Sequence, residues 1–161
     1  MPTHLDQLPA NHVMLELVGG MNGGFGPGNL DFVRNLSDGN HAVAPSPGSF
    51  RVPKGKFLVV TDVDWQYIHP QGTAGAGKIQ ILRLFVHNLT APQSSALRVF
   101  ESTVVLSSQG QGGISESMTS GFVVSPEARI GIDVFPGPAG PPSGLQHAIL
   151  RGYLTERHDP V

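Results

Sequence analysis

Residues 50–68, FRVPKGKFLVVTDVDWQYI, decide the fold class of this chain. From position 57 onward, successive residues of an extended segment would point to opposite faces. One face carries Phe57, Val59, Thr61, Val63, Trp65 and Tyr67, and the other carries Leu58, Val60, Asp62, Asp64, Gln66 and Ile68. β-branched and aromatic residues that alternate with period two predict a strand buried on one side. Because this segment holds the only tryptophan, we expect it to anchor the core of a β-sandwich.

The composition favours many short strands joined by turns. Of 161 residues, 21 are glycine, 14 are proline and only 14% are charged, whereas about a quarter are charged in an average domain. The length suits a single domain, residues 1–161, with a polar N-terminal arm at 1–11 and a polar tail at 156–161. With 39% hydrophobic residues and a net charge of −2, we expect a folded chain that does not bind nucleic acid.

Three features bear on the compartment and on the membrane. The chain has no cysteine, which excludes disulfides and thiolate metal sites. The first residues lack the basic and apolar regions of a signal peptide, so none is visible in this chain. No apolar run approaches the length of a membrane span, and we expect no membrane insertion.

Further strands are predicted along the rest of the chain. They lie at residues 12–18, 78–88, 96–107, 118–125, 129–135 and 145–155. The glycine-rich segment 19–28 is predicted to be a loop, and residues 29–36 show a helix-like pattern. The segment 136–144, PGPAGPPSG, cannot lie inside a sheet, since proline has no donor for the ladder. These patterns predict an all-β sandwich of about seven to nine antiparallel strands.

Three short motifs resemble the jelly roll shared by tumour necrosis factors and the globular heads of the complement first component. They are FRVPKG at 50–55, SGFVV at 120–124 followed by a Pro-Glu turn and the strand at 129–134, and LRGYL at 150–154. A looser group of bacterial secreted β-sandwich proteins has similar motifs. The resemblance implies a single jelly roll, often a homotrimer, that is extracellular or surface-associated and does not catalyse.

Asp62 and Asp64 are candidate metal ligands, because residues two apart lie on the same face of a strand. Two such carboxylates suit a hard cation such as Ca²⁺, which takes several oxygen ligands. The simpler interpretation is a solvated outer face of an antiparallel sheet. Apart from this Ca²⁺ option, no cofactor is expected.

Catalytic motifs are missing from the sequence. Seven histidines are present, yet none forms a His-x-His or His-Glu-x-x-His pattern. His69, His87 and His147 would have to meet from three strands to make a cupin-like metalloenzyme, the least favoured alternative. No Gly-x-Ser-x-Gly elbow is present, and turn formation explains the serines, including Ser115 and Ser117. We therefore expect no enzyme.

Trp65, Tyr67 and Gln66 are the candidate ligand-binding residues. On a lectin-like module the two rings would stack on a sugar. The competing interpretation is that both rings fill the sandwich core. Glycan binding is thus the main alternative function.

Four apolar residues are candidates for an oligomer interface. Tyr153 and Ile149 share one face of the last predicted strand, and Phe100 and Phe122 lie on two others. If both faces of the sheets are apolar, a second copy must cover part of that area. We expect a structural or adhesion module that assembles with itself as a homo-oligomer, and the resemblance favours a trimer.

Overall fold

The computed structural model of the chain describes residues 12–16, 28–29, 32–35, 41–43, 50–87, 96–134 and 144–156. The predictions for the N-terminal arm at 1–11 and for most of the glycine-rich segment at 19–28 lie outside these residues. So do those for most of the proline-rich segment and for the tail beyond residue 156.

Ten β-strands form two antiparallel sheets within the described ranges. They are β1 (His12–Glu16), β2 (Gly28–Asn29), β3 (Phe32–Asn35), β4 (His41–Val43), β5 (Lys56–Ile68), β6 (Ile79–His87), β7 (Ala96–Val105), β8 (Gln111–Val124), β9 (Arg129–Val134) and β10 (Leu145–Glu156). The six-stranded sheet has the order β4-β3-β1-β10-β5-β8, and the four-stranded sheet has the order β2-β9-β6-β7. A 3-10 turn, Gly72–Gly75, lies between β5 and β6.

These two sheets confirm the predicted all-β sandwich. The strands predicted from residues 12, 96, 129 and 145 begin at those residues. The helix-like interpretation of residues 29–36 is wrong. Strand β3 lies there and pairs with both β1 and β4. Such pairing satisfies backbone polar groups on both edges, whereas an isolated helix of two turns is unstable in water.

The hydrophobic core lies between the sheets and takes side chains from both. Trp65 and Tyr67 on β5, Leu82 and Leu84 on β6, and Leu150 on β10 are all at most 1% exposed. Burying a side chain of this size contributes about 1.5–3 kcal/mol. Strand β6, whose sequence is apolar on both faces, lies in the middle of its sheet between β9 and β7.

A β-bulge at Thr61 changes which alternate residues of β5 point towards the core, halfway along the strand. Val60 pairs with Gly152 and Asp62 with Arg151, so Thr61 has no counterpart on β10. One extra residue shifts the alternation by one position. The residues that are at most 1% exposed are therefore Leu58 and Val60 before the bulge and Val63, Trp65 and Tyr67 after it, whereas Val59 is 8% exposed. The prediction that Phe57 shares the core face with Trp65 is wrong, because it assumed an unbroken alternation.

A chain of two hydrogen bonds joins the sheets beside Trp65. The indole Nε1 donates to Ser102 Oγ on β7 at 2.9 Å, and Ser102 Oγ donates to Glu116 Oε1 on β8 at 2.6 Å. Ser102 is 2% exposed. The tryptophan N–H thus finds the partner that burial of a polar group requires.

Candidate functional site

The outer face of the six-stranded sheet carries a group of hydrogen-bonded polar side chains. We call this group the polar ladder. It consists of two acidic residues on β5, two serines on β8 and two basic residues on β10, namely Asp62, Asp64, Ser115, Ser117, His147 and Arg151. The bulge at Thr61 still leaves both aspartates on the outer face, because both follow it.

Asp64 is held by a donor on each side. Ser115 Oγ donates to Asp64 Oδ2 at 2.7 Å, and His147 Nε2 lies 2.9 Å from Asp64 Oδ1. The hydrogen bonds from Ser115 and from His147 lower the pKa of Asp64, as hydrogen bonds to a charged carboxylate do. The carboxylate is therefore ionised and fixed in orientation at neutral pH.

Asp62, two residues before Asp64 on β5, has a similar environment. Ser117 Oγ donates to Asp62 Oδ1 at 2.5 Å, and Thr61 Oγ1 donates to Oδ2 at 2.7 Å. These bonds, and to a smaller extent the positive charge of Arg151, lower the pKa of Asp62. Each of the two aspartates thus accepts a hydrogen bond from the serine directly opposite it on β8.

A shallow depression of about 350 Å³ opens beside Asp64. Gln66, Ser115 and His147 contribute to its wall, and Gly113 lies opposite Gln66 in the register of β5 and β8. Gln66 is exposed. Asp62, by contrast, is not among the lining residues.

The order of the groups around Asp64 differs from that of a catalytic triad. In a serine hydrolase the imidazole lies between the serine and the carboxylate, so that it can take the serine proton. Here the carboxylate lies between Ser115 and His147. Ser115 therefore donates its hydrogen bond to Asp64 and not to the imidazole.

The described residues contain no group of three or more His, Cys, Asp or Glu side chains that could hold a metal ion. The oxygens of Asp62 and Asp64 accept hydrogen bonds from side chains instead. Within that part of the chain, the Ca²⁺ proposal has only these two carboxylates, fewer than the six to eight oxygens that Ca²⁺ takes.

The three histidines proposed for a cupin-like centre do not meet. His147 lies on the outer face of the six-stranded sheet, and His87 lies on β6 of the other sheet. His69 is 5% exposed, and its Nδ1 accepts a hydrogen bond from the backbone N–H of Gln71 at 3.1 Å. The prediction is wrong because His87 belongs to the other sheet, and because His69 is buried whereas His147 lies on an outer face.

Trp65 and Tyr67 cannot form a platform for a sugar. Trp65 is 1% exposed and Tyr67 is fully buried, and burial raises the pKa of the Tyr67 phenol. The prediction of stacking is therefore wrong for both rings, and the competing interpretation, that they fill the core, holds. Gln66, on the opposite face of β5, remains accessible.

Ser115 and Ser117 were not predicted as site residues. The expectation that they lie in turns is wrong, because β8 begins at Gln111 and contains both. Their spacing of two residues matches that of Asp62 and Asp64. The repeated spacing is a sequence signal for two paired rows of side chains. Only the register of β5 and β8 shows which residues pair.

Exposed large hydrophobic residues lie along two parts of the sandwich. Four lie on the edge strands of one side of the sandwich: Leu97 and Val105 on β7, and Ile114 and Val123 on β8. On the outer face of the six-stranded sheet, the exposed residues Val123 and Tyr153 flank Val59, which is only 8% exposed, in a row across three strands. We call the set Leu97, Val105 and Ile114 the edge patch, and the set Val123, Val59 and Tyr153 the apolar row.

Of the four residues predicted for an interface, only Tyr153 belongs to one of these two surfaces. Tyr153, 38% exposed, belongs to the apolar row, and Ile149 is half-buried on the same outer face. Phe100 on β7 and Phe122 on β8 are half-buried against the core, with ring centroids 6.3 Å apart. These two rings close the sandwich between β7 and β8.

Comparisons with known proteins give the chain no family. A scan against family models finds no match, and a search of curated proteins finds no matching relative. Within the described residues, no helix has the length and apolar character needed to cross a membrane.

Proposed function

We propose that this protein is a non-catalytic structural or adhesion module that assembles with itself through its two apolar surfaces. The observation that carries the proposal is the location of the exposed hydrophobic residues. The edge patch and the apolar row account for all the exposed large hydrophobic residues of the described chain except Ile79, which pairs with Val105.

The two surfaces favour a head-to-tail contact between copies. The edge patch lies on the side of the sandwich formed by β7 and β8, and the apolar row extends over the face formed by β8, β5 and β10. A contact between two different surfaces is heterologous, and it forms a closed ring when the rotation between copies closes. A ring of three copies agrees with the trimer implied by the sequence resemblance.

The connectivity of the strands also supports the proposed jelly-roll class. From β5 onward the chain changes sheet between β5 and β6, between β7 and β8, between β8 and β9, and between β9 and β10. Frequent crossing between two sheets is typical of Greek-key and jelly-roll sandwiches.

Light scattering coupled to size-exclusion chromatography tests the assembly. We expect a particle with three times the mass of one chain at micromolar concentration. Tyr153→Glu places a charge in the apolar row and should reduce the mass to that of a monomer, because burying an unpaired carboxylate is costly. Thr73→Glu, at an exposed position of the 3-10 turn, is the control and should leave the mass unchanged.

A monomeric wild type would contradict the proposal. So would a Tyr153→Glu variant that keeps the wild-type mass. Circular dichroism of each variant establishes that the β-sandwich is still folded.

A further inference from the structure

We propose that the depression beside Gln66 binds a small uncharged polyhydroxylated ligand of the size of one sugar ring. The depression lies at the polar end of the outer face, and the apolar row lies at the opposite end of the same strands. The depression shares Ile114 with the edge patch, but the polar groups that would hold the ligand lie outside both apolar surfaces. The proposal also differs from the aromatic sugar platform that the burial of Trp65 excludes.

Gly113 leaves room for the depression because it has no side chain. This residue lies opposite Gln66 on β8. A Cβ atom at position 113 would lie 2.8 Å from the carbonyl oxygen of Trp65, so the close approach of the strands requires glycine. The volume of about 350 Å³ is at the lower end of the range for small-molecule sites, which suits a single ring.

Trp65 and Ile114 contribute an apolar part of the wall, and the rest is polar. The polar part matches hydroxyl groups, which both donate and accept hydrogen bonds. Asp64 offers carboxylate oxygens that Ser115 and His147 already hold in place. The exposed amide of Gln66 offers an acceptor and two donors. His147 uses Nε2 for Asp64, and its other ring nitrogen makes no hydrogen bond to the described residues.

The charges of the wall favour a neutral ligand. The ionised Asp64 repels an anion. For a metal cation, the described residues provide too few ligands. A neutral polyol can accept and donate without displacing the hydrogen bonds from Ser115 and His147. Since no aromatic ring stacks on it, we expect a dissociation constant of about 1 mM, as for a ligand of a dozen atoms at a shallow site.

Nuclear magnetic resonance titration of the full-length, isotope-labelled protein tests the proposal. The probes are glucose, galactose, mannose and N-acetylglucosamine, added separately. At least one should shift the side-chain amide signals of Gln66 and the backbone signals of Gly113 and Ser115. Asp64→Asn should weaken this binding about tenfold or more, because it removes a charged acceptor.

Asp62→Asn is the matched control. Asp62 lies on the same strand, also accepts hydrogen bonds from a serine on β8 and also has a lowered pKa, but it does not line the depression. Asp62→Asn should bind as tightly as the wild type. The proposal is overturned if none of the four sugars shifts these signals, if the shifts lie elsewhere, or if both variants lose binding equally. Glucose 6-phosphate should bind more weakly than glucose, and tighter binding would overturn the charge argument.

Discussion

At Ser102, one hydroxyl group connects the two sheets of the sandwich. It accepts from Trp65 on β5 and donates to Glu116 on β8, while its own strand, β7, belongs to the other sheet. We expect Ser102→Ala to lower the free energy of unfolding by about 1–3 kcal/mol, because it leaves the buried indole N–H without its acceptor. Urea unfolding followed by circular dichroism measures the loss.

Thr103→Ser is the control for the Ser102 prediction. Thr103 is the next residue on β7 and is exposed, so its substitution should change the free energy of unfolding by at most about 0.5 kcal/mol. Equal losses for the two variants would show that the sheet link contributes nothing of its own.

The hydrogen bond from Ser115 makes the stability of the fold depend on pH. It lowers the pKa of Asp64 below the ordinary value of 3.8, so the carboxylate stabilises the folded state fully above that value. This stabilisation is lost as the pH falls through the lowered pKa of the folded state. Ser115→Ala should therefore be less stable than the wild type at about pH 7, and the difference should shrink towards about pH 2.

Urea unfolding at several pH values measures that difference. Ser108→Ala, at an exposed turn position, should differ from the wild type by the same small amount at every pH. A Ser115→Ala difference that grows on acidification would contradict the assigned cause of the pKa shift.

The sequence could indicate Asp62 and Asp64 as a pair on one face but not their partners. Residues two apart on a strand share a face whatever the register. The opposite serines depend on which residue of β8 lies beside which residue of β5, and no local pattern carries that information. The sequence offers His147 as a metal ligand because it does not show that the imidazole lies within hydrogen-bonding distance of Asp64.

At the scale of the element, the bulge in β5 determines where the core begins and ends along that strand. On β8, Phe122 lies opposite Val60 and Ser117 lies opposite Asp62, so β8 also departs from regular pairing here. Gly121 lies in this irregular stretch with a φ of 65°. A side chain at position 121 would collide with the carbonyl oxygen of Val60.

We expect Gly121→Ala to be more destabilising than Gly55→Ala. Gly55 also has a positive φ, 77°, but a Cβ atom at position 55 would have no other atom within 4 Å. Gly55→Ala should cost only the left-handed strain, about 1–2 kcal/mol. Gly121→Ala should cost about 1–3 kcal/mol more, because the neighbouring backbone must move. Equal losses in thermal or urea unfolding would mean that β8 adjusts without cost.

The existence of β1 and of the strands from β5 onward followed from the sequence, whereas β2, β3, β4, the first half of β8 and the facing of β5 did not. Period-two alternation located β5 within one residue of its start. An inserted residue such as Thr61 leaves no local signal, because threonine suits both a regular strand and a bulge. Only the pairing with β10 therefore shows that Leu58 and Val60 face the core.

At the scale of the whole molecule, a mixing experiment can separate a heterologous contact from an isologous one. Tyr153→Glu damages the apolar row, and Leu97→Glu damages the edge patch. Each variant alone should be monomeric, because every head-to-tail contact needs both surfaces. When mixed, one variant still supplies an intact row and the other an intact patch, so a two-chain complex should form.

Sedimentation velocity of the two variants, alone and mixed in equal amounts, measures this outcome. If the contact joined like surfaces, Leu97→Glu would stay assembled and mixing would restore nothing. That result would replace the ring with a twofold pairing of the apolar rows.

The single indole of this chain lies at the boundary of the two layers and donates its N–H to the opposite one. Its fluorescence should therefore report the separation of the two layers. Any event that separates them should move the emission of the protein to longer wavelength without an added label. Assembly through the apolar row, which lies towards the other end of β5, should by contrast leave the emission wavelength unchanged.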